Sequence, residues 1–368
     1  MRKRHFLFAS VLALLCSSGA LHAQDFKLTS SGYFKNQGVD VMAFDDIYPE
    51  GHQGGVCIIM NGHRVATNGD IRLEATPGQW QPVPKQLDRK LSDNSITATL
   101  CYPDSSRHLT GFNPMIYPDL HLIYTVQVES KGKHIEVTVD LDRPIPQEFI
   151  GKVGFNLEFF PGSLFGKPWI MDGQSGIFPQ QPNSPLMTTQ PNYLHTGNYH
   201  DGKQSLADMD KLIGKGYSPI VADDIISEPY AKGRKFTSRP DDPYNKVTIE
   251  SLSGDLQLFD GRMNHNNGWF VLRSNIKPGV TKGAVKWIIT PNVVADWMYQ
   301  PVIQTSQIGY HPAQDKEAVI EMDIRDNRKE TAQIIRIDAD GEKVVKNVTP
   351  ANWGKFLRYN YLKVDFTD

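Results

Sequence analysis

The stretch that decides the fold class runs from Leu120 to Leu141 and reads Leu-His-Leu-Ile-Tyr-Thr-Val-Gln-Val-Glu-Ser-Lys-Gly-Lys-His-Ile-Glu-Val-Thr-Val-Asp-Leu. Apolar side chains occupy every second position on both sides of residues 130–133, which include Gly132. A period of two places these side chains on one face of an extended chain, and a glycine-bearing loop between two such runs favours a reversal. The stretch therefore predicts an antiparallel β-hairpin with one buried face.

Similar short apolar runs recur along the chain, separated by Gly, Pro, Asn and Asp residues. The predicted strands are 56–60, 96–102, 153–159, 247–250, 256–259, 269–273 and 284–290. A single amphipathic helix is predicted from Ser205 to Gly216. Strands in this number, without alternating helices, indicate an all-β protein in which residues 24–298 form a large, β-sandwich-like N-terminal domain.

The composition is that of an ordinary globular protein of 368 residues, with 39% hydrophobic residues and a formal net charge of -2. A chain of this length can form two domains, each with its own core. Binding to phosphate groups needs a face rich in Lys and Arg, and no basic block follows the N-terminus. We therefore expect no nucleic-acid partner.

Residues 1–23 have the three parts of a secretory signal peptide: a basic start at 2–4, an apolar run at 6–15 and small residues at 20–23. Cys16 follows Leu15, which does not match the small residue expected before a lipidated cysteine. No later segment reaches the roughly 18 apolar residues that a transmembrane helix needs. We expect an exported protein, periplasmic or extracellular, without a membrane span.

Two cysteines remain after the signal peptide, Cys57 and Cys101, and each lies in a predicted strand. In an oxidising compartment an even pair can form a disulfide. Each cysteine also fits as a small buried apolar residue. Because the sequence does not give the distance between them, it leaves both alternatives open.

A second informative stretch, residues 304–319, reads Gln-Thr-Ser-Gln-Ile-Gly-Tyr-His-Pro-Ala-Gln-Asp-Lys-Glu-Ala-Val. Gly309 and Pro312 indicate a turn between two strands. The pattern Gln-Ile-Gly-Tyr-His-Pro, followed by Lys316 and by Ala-Val at 318–319, resembles the opening of the immunoglobulin-like module that precedes the catalytic domain in family 9 glycoside hydrolases (cellulases). The segment 154–173 resembles the extension ahead of this module in some bacterial members of the family.

The resemblance implies that residues 302–368 form an immunoglobulin-like β-sandwich. The module is truncated here, because these 67 residues compare with about 100 in the complete fold. In the family the module supports a catalytic barrel, so the missing catalytic domain is the implied intramolecular partner. The implied function is that of the non-catalytic N-terminal part of an exported enzyme that degrades β-glucan or cellulose.

The residues that carry catalysis in the family have no counterpart in this sequence. Family 9 enzymes hold the base in an Asp-Ala-Gly-Asp motif and the acid in a distant glutamate, whereas residues 338–341 read Asp-Ala-Asp-Gly and predict a hairpin turn. The acidic pairs at 223–224 and 241–242 are typical of solvated loops, and the histidines at 195 and 200 match no zinc spacing. We therefore predict no catalytic residue, no metal and no cofactor in this chain.

Aromatic residues are the remaining candidates for a function, because sugar rings stack their C–H faces on flat side chains. Trp169 and Trp269 have Gly, Pro, Asn and His neighbours and are the predicted carbohydrate-binding residues, although Trp269 also fits as the first core residue of a strand. Trp287 and Trp297 are predicted to be packing residues. These residues support an alternative function, a free-standing protein that binds a β-glucan polysaccharide or oligosaccharide.

Overall fold

The structure is a computed structural model, and it describes residues 25–45, 54–74, 77, 84–102, 120–182, 186–187, 226–263 and 268–367. These residues form strands, joined by loops and by single 3-10 turns at Gln147–Phe149, Pro161–Ser163 and Gly261–Met263. The prediction of an all-β protein is confirmed. The predicted signal peptide and the predicted helix at 205–216 lie outside the described residues.

The strands are numbered in chain order. The first half comprises β1 (Lys27–Leu28), β2 (Phe34–Asn36), β3 (Val39–Ala43), β4 (Val56–Met60), β5 (His63–Leu73), β6 (Lys85–Leu91), β7 (Ser95–Tyr102), β8 (Leu122–Lys131), β9 (His134–Leu141), β10 (Val153–Phe159), β11 (Pro168–Met171), β12 (Gln174–Ile177) and β13 (Leu186–Met187). The second half comprises β14 (Ile226–Ser227), β15 (Ala231–Gly233), β16 (Lys235–Ser238), β17 (Val247–Ser251), β18 (Leu256–Asp260), β19 (Phe270–Asn275), β20 (Val285–Pro291), β21 (Val302–Gln304), β22 (Glu317–Asp323), β23 (Ala332–Asp338), β24 (Gly341–Val348), β25 (Ala351–Phe356) and β26 (Tyr359–Asp365).

Two large antiparallel sheets contain almost all strands up to β20. The first sheet has nine strands in the order β1-β2-β3-β4-β5-β10-β19-β18-β15, and the second has nine in the order β12-β11-β16-β17-β20-β9-β8-β7-β6. The short strands β13 and β14 pair with each other. Each of the seven strands predicted outside the hairpin is present, with ends that match the prediction or differ from it by at most two residues.

The predicted hairpin is β8 and β9, two interior strands of the second sheet. Val126 lies opposite Val139 and Val128 opposite Val137, and all four side chains are buried. Gly132 in the connecting turn has a φ of 68°, in the region that favours glycine. As the sequence predicts, the apolar residues that alternate with polar ones along β8 and β9 lie on the face of the hairpin that packs in the core.

The two large sheets face each other across one hydrophobic core. The ring of Phe155 in the first sheet packs edge to face on the ring of Trp287 in the second sheet, with 5.0 Å between the ring centres. Phe159 and Phe236 pack in the same manner, with 5.8 Å between their ring centres. Burying an aromatic side chain of this kind stabilises the fold by about 1.5–3 kcal/mol. The inward residues of both sheets thus form a β-sandwich, and Trp287 is the packing residue that the sequence predicts.

Strands β21 to β26 form separate sheets. The C-terminal sheet has four strands in the order β21-β22-β26-β25, and β23 pairs only with β24 among the described strands. Gly309, between β21 and β22, has a φ of 82°, so the predicted turn is present. The predicted hairpin at 338–341 is the β23–β24 connection, where the Asp340 N–H donates to Asp338 Oδ1.

The C-terminal sheet contacts the first sheet through the turn between β25 and β26. Leu357 in this turn packs against Tyr33, Met42, Cys57 and Ile59. Met42 lies opposite Cys57 in the paired strands, and the neighbouring pair, Val41 and Ile58, faces the main core. Since successive side chains in a strand point to opposite faces, Met42 and Cys57 lie on the side of the sheet away from that core. A cleft lies beside this contact.

Candidate functional site

Trp169 does not form the exposed platform that the sequence predicts. It lies in β11 with a side chain that is 6% exposed and belongs to the main core. Gly176 on the paired strand makes room for the ring, since a Cβ there would lie 2.4 Å from Trp169 Cζ2. The alternation of β11 turns Ile170 outward instead. The prediction that Trp169 is accessible to sugar is therefore wrong.

Trp269 lies just before β19 and is half-buried. Its ring contacts Phe160 edge to face at 4.3 Å. Packing is thus one of its roles, as the alternative interpretation of the sequence indicates. A contact of Trp269 with sugar stays a prediction.

The two cysteines are free thiols. Cys57 lies in β4 of the first sheet, and Cys101 lies in β7 of the second. The disulfide that the sequence left open is therefore not formed. Cys57 is a buried apolar residue, and burial raises the pKa of its thiol to about 11, whereas Cys101 is half-buried.

The acidic pair at 241–242 has a structural role at Asp242. Its carboxylate accepts hydrogen bonds from Asn245 Nδ2, from the Tyr244 N–H and from Arg239. Partial burial opposes the charge, but these donors outweigh it and lower the pKa of Asp242. Asp242 is thus a partly buried, ion-paired loop carboxylate, whereas the sequence predicts a solvated one. The residues at 223–224, 195 and 200 lie outside the described residues.

A cleft of about 320 Å³ lies where the C-terminal sheet meets the first sheet. One wall comes from strands β1 to β4 and from the turns that follow β2 and β4. The other comes from the segment before β21 and from the ends of β22 and β26. Its lining residues are Asp25, Lys27, Thr29, Lys35, Asn36, Gln37, Gly38, Val39, Asp40, Ile59, Gly62, Trp297, Tyr299, Asp323, Ile324, Arg325, Arg358 and Tyr359.

Two aromatic side chains of the cleft pack on glycines of the first sheet. Gly38 has a φ of 67°, and a Cβ there would lie 2.7 Å from Trp297 Cε3. Gly62 has a φ of 84°, and a Cβ there would lie 2.8 Å from Tyr299 Cε2. Only glycine fits this conformation and this approach without strain. The two turns therefore position Trp297 and Tyr299 at the cleft.

The backbone of Trp297 is held from both walls. Its carbonyl oxygen accepts a hydrogen bond of 2.9 Å from Gln37 Nε2 and one of 2.6 Å from an Arg325 Nη2. Gln37 follows β2 of the first sheet, and Arg325 follows β22 of the C-terminal sheet. The half-buried indole ring is thus fixed relative to both sheets.

An ion pair crosses the cleft. Arg358 Nη1 lies 3.3 Å from Asp40 Oδ2, and the Arg358 guanidinium lies 5.0 Å from the centre of the Tyr359 ring. The Asp40 side chain is only 5% exposed. Burial raises the pKa of Asp40 to about 6, although the charges of Arg358 and Lys35 act in the opposite direction. One sheet supplies the carboxylate and the other supplies the cation.

A second ion pair lies within the C-terminal sheet. Asp323 accepts hydrogen bonds of 2.8 Å from Arg325 Nε and of 3.1 Å from the Tyr299 N–H. Partial burial opposes the charge of Asp323, but the donors of Arg325 and Tyr299 outweigh it and lower the pKa to about 2. The cleft thus combines flat rings, amides and paired charges, which together are suited to orienting the hydroxyl groups of a polar ligand.

Another group of buried charges lies in the first sheet. Glu74 accepts hydrogen bonds from Arg273 at 3.0 Å and from Asn156, and the Arg273 and Glu74 side chains are 2% and 0% exposed. Burial raises the pKa of Glu74 to about 7, against the lowering effect of Arg273 and Asn156. Burial also raises the pKa of Asp70 to about 6, and this carboxyl accepts a hydrogen bond from the Tyr124 hydroxyl. These carboxyls form hydrogen bonds with protein groups, as in a structural ion-pair network.

Within the described ranges no three His, Cys, Asp or Glu side chains are grouped so that they could hold a metal ion. In the same part of the chain no helix has the length and apolar character needed to cross a membrane.

Comparisons with known proteins give weak matches. No family model matches the chain, and no curated protein matches it in sequence. The crystal structure of HI1317 matches with 8% identity and a TM-score of 0.29, over 73% of this chain and 98% of that one. The heparan sulfate lyase HepC from Pedobacter heparinus matches with 12% identity and a TM-score of 0.27, over 79% of this chain and 40% of that one. At these TM-scores the matches bear on neither fold nor function.

The sequence did not identify the residues of the cleft. The sequence predicts a packing role for Trp297, and no local pattern distinguishes Asp40 or Arg358 from other charged residues. Gln37 and Trp297 are 260 positions apart in the chain, so no local pattern joins them. A glycine in each of the turns at Gly38 and Gly62 was the one local signal of close packing.

Proposed function

We propose that this chain is the non-catalytic N-terminal part of an exported family 9-like glycoside hydrolase, and that its cleft binds β-linked glucan. The resemblance of residues 304–319 to the family's immunoglobulin-like module supports the first part. The arrangement of this stretch agrees with the resemblance, since it leaves β21 at Gln304, turns at Gly309 and enters β22 at Glu317. The predicted supporting role toward a catalytic barrel belongs to the same proposal.

The observation that carries glucan binding is the position of Trp297 and Tyr299 beside two ion pairs. Flat rings offer faces for the C–H groups of a sugar, while Asp40 and Arg358 offer an acceptor and donors for its hydroxyls. Both acidic groups of these pairs already interact with a guanidinium. Such carboxylates are better suited to orientation than to proton transfer, so we expect binding without hydrolysis.

Electrophoresis in native gels that contain soluble hydroxyethylcellulose tests this proposal. The wild-type chain should migrate more slowly as the glucan concentration rises, and Trp297→Ala should restore most of its mobility. Phe165→Ala is the matched control, because this exposed aromatic residue is not among those that line the cleft. Wild-type migration that is unchanged in every β-glucan would refute glucan binding, and release of reducing sugar by the purified chain would refute the non-catalytic role.

An exposed apolar surface favours the supporting role as a second function of the same chain. Ile335 and Ile337, two positions apart in β23, are 45% and 76% exposed, and Val344, which lies opposite Ile335 in β24, is 44% exposed. Apolar residues that are exposed together on a surface often mark an interface with another protein part. If a catalytic domain covers this surface, the isolated chain should self-associate at high concentration, and Ile337→Lys should reduce that association in sedimentation velocity. A monomer at all concentrations would contradict this role.

A further inference from the structure

Five aromatic rings form a continuous row that begins in the cleft and ends at the far strand of the C-terminal sheet. The distances between ring centres are 6.3 Å from Trp297 to Tyr299, 5.1 Å from Tyr299 to Tyr359, 6.0 Å from Tyr359 to Tyr361, and 6.0 Å from Tyr361 to Trp353. We call these five residues the aromatic row. The first three line the cleft, and the last two do not.

The register of the C-terminal sheet explains why the row lies on one face. Tyr359 and Tyr361 are two positions apart in β26, so their side chains point to the same side. β25 contains a bulge between Asn352 and Gly354, in which Trp353 is the extra residue, and its ring lies beside that of Tyr361. The bulge therefore extends the row across one more strand.

The end of the row is open to solvent. Trp353 is 61% exposed and Phe356 is 60% exposed. Gly354 lies opposite Tyr361, and a Cβ at Gly354 would meet no atom within 4 Å. The recess bounded by residues 353–356 and Tyr361 has a volume of about 450 Å³. A flat ring with this exposure is available to a ligand.

Charged groups accompany the rings. Tyr299 donates a hydrogen bond of 2.8 Å to Glu321, and Lys363 Nζ lies 2.6 Å from Glu317 and 5.9 Å from the centre of the Trp353 ring. An apolar protein partner would have to remove water from these charges, which is costly. A sugar chain pairs its hydroxyls with them and its C–H faces with the rings. The face therefore favours a glycan over an apolar protein surface.

We infer that the ligand is an extended β-glucan chain that runs from the cleft along the aromatic row to Trp353. This inference rests on the proposed function of the cleft and specifies its ligand: a polymer, which reaches the whole row, is preferred over a short oligosaccharide, which occupies the cleft alone. Trp353 is then a binding residue of the polymer, although it lies outside the cleft.

The test compares two probes, hydroxyethylcellulose and cellobiose, with the full chain. Trp353→Ala should weaken binding of the polymer roughly tenfold, the size expected when an aromatic anchor is truncated, and should leave cellobiose binding unchanged. Trp297→Ala should weaken binding of both probes, and Phe165→Ala of neither. Because Trp353 is exposed, its variant should melt at the wild-type temperature, which checks that the chain is folded.

Each outcome separates this inference from the proposal on which it rests. If Trp297→Ala weakens polymer binding while Trp353→Ala leaves it unchanged, the cleft binds glucan and the extended surface is refuted. If Trp353→Ala weakens binding of cellobiose as strongly as that of the polymer, the preference for a polymer is refuted. If the wild-type chain binds neither probe, the proposed function falls, and this inference falls with it.

Discussion

Replacing Arg273 by Met tests the structural interpretation of the buried charges in the first sheet. Arg273 donates to the Glu74 carboxylate at 3.0 Å, to the Asn156 side chain at 3.1 Å and to the Lys152 carbonyl at 2.8 Å. Methionine fills part of the same volume but offers no donor. The substitution therefore leaves a buried carboxylate without its cation.

The expected destabilisation follows from the burial of the pair, whose side chains are 2% and 0% exposed. Removing one partner of a buried ion pair costs about 3–5 kcal/mol. At roughly 2 °C per kcal/mol for a domain of more than 200 residues, the melting temperature should fall by about 6–10 °C. The exposed pair Lys90–Asp88 gives the control, because Lys90→Met should cost less than about 1 kcal/mol.

The destabilisation should depend on pH. Arg273 lowers the pKa of Glu74, so its removal raises that pKa above the value of about 7 that the wild type has. At pH values between the wild-type pKa of Glu74 and the higher pKa in the variant, Glu74 binds a proton in the folded variant but not in the unfolded chain. The free energy of unfolding of the variant should therefore increase by up to about 1.4 kcal/mol per pH unit as the pH falls from 9 toward 7. Over the same pH range the contribution of Glu74 to wild-type stability changes little.

Urea unfolding followed by tryptophan fluorescence measures this effect, with the buried Trp287 as a reporter in the core. The double variant Arg273→Met with Glu74→Gln should recover part of the loss, since it no longer buries an unpaired charge. A free energy of unfolding for Arg273→Met within 1 kcal/mol of the wild type at pH 8 would refute the reasoning. Equal stability of the single and double variants at that pH would refute it as well.

Two further predictions concern protons and thiols. In the folded state the pKa of Asp40 is about 6 and that of Glu74 is about 7, above their ordinary values of 3.8 and 4.5. The stability that these protonated groups contribute is therefore fully present below the ordinary pKa values and is lost as the pH rises through 6 to 7. Wild-type melting temperatures should be higher at pH 5.5 than at pH 8, with a smaller difference in Glu74→Gln; equal differences in both proteins would contradict this. A chain that lacks residues 1–23 should show one thiol that reacts with a disulfide reagent when folded, Cys101, and a second only after unfolding, Cys57. If no thiol reacted after unfolding, a disulfide would be indicated.

The strands were predictable because each carries its own evidence. Val56–Met60 and Val153–Phe159 have the predicted bounds, and the β8–β9 hairpin has the predicted face in the core. Period-two alternation is a local property, and burial on one face of a sheet selects it. All-β architecture could therefore be read from the sequence without knowledge of which sheets form.

The partners of individual side chains were not predictable in the same way. Trp169 has polar neighbours in sequence, yet the alternation of β11 and the glycine at 176 place its ring in the core. Glu74 follows a strand next to Arg72 and Leu73, where a solvated charge is the ordinary expectation, but it is buried because Arg273 lies within reach. Such outcomes depend on residues that are far away in the chain.

The position of the cleft has a physical reason in the way that the charges are distributed. In the first sheet Glu74 and Arg273 come from the same sheet and bind each other, so their interaction holds that sheet together. At the cleft, Asp40 comes from the first sheet and Arg358 from the C-terminal sheet. A ligand that contacts both therefore bridges two sheets, and its binding free energy adds to the contact between them. Because Leu357 and Arg358 lie in one turn, docking of the C-terminal sheet and formation of the cleft depend on the same residues.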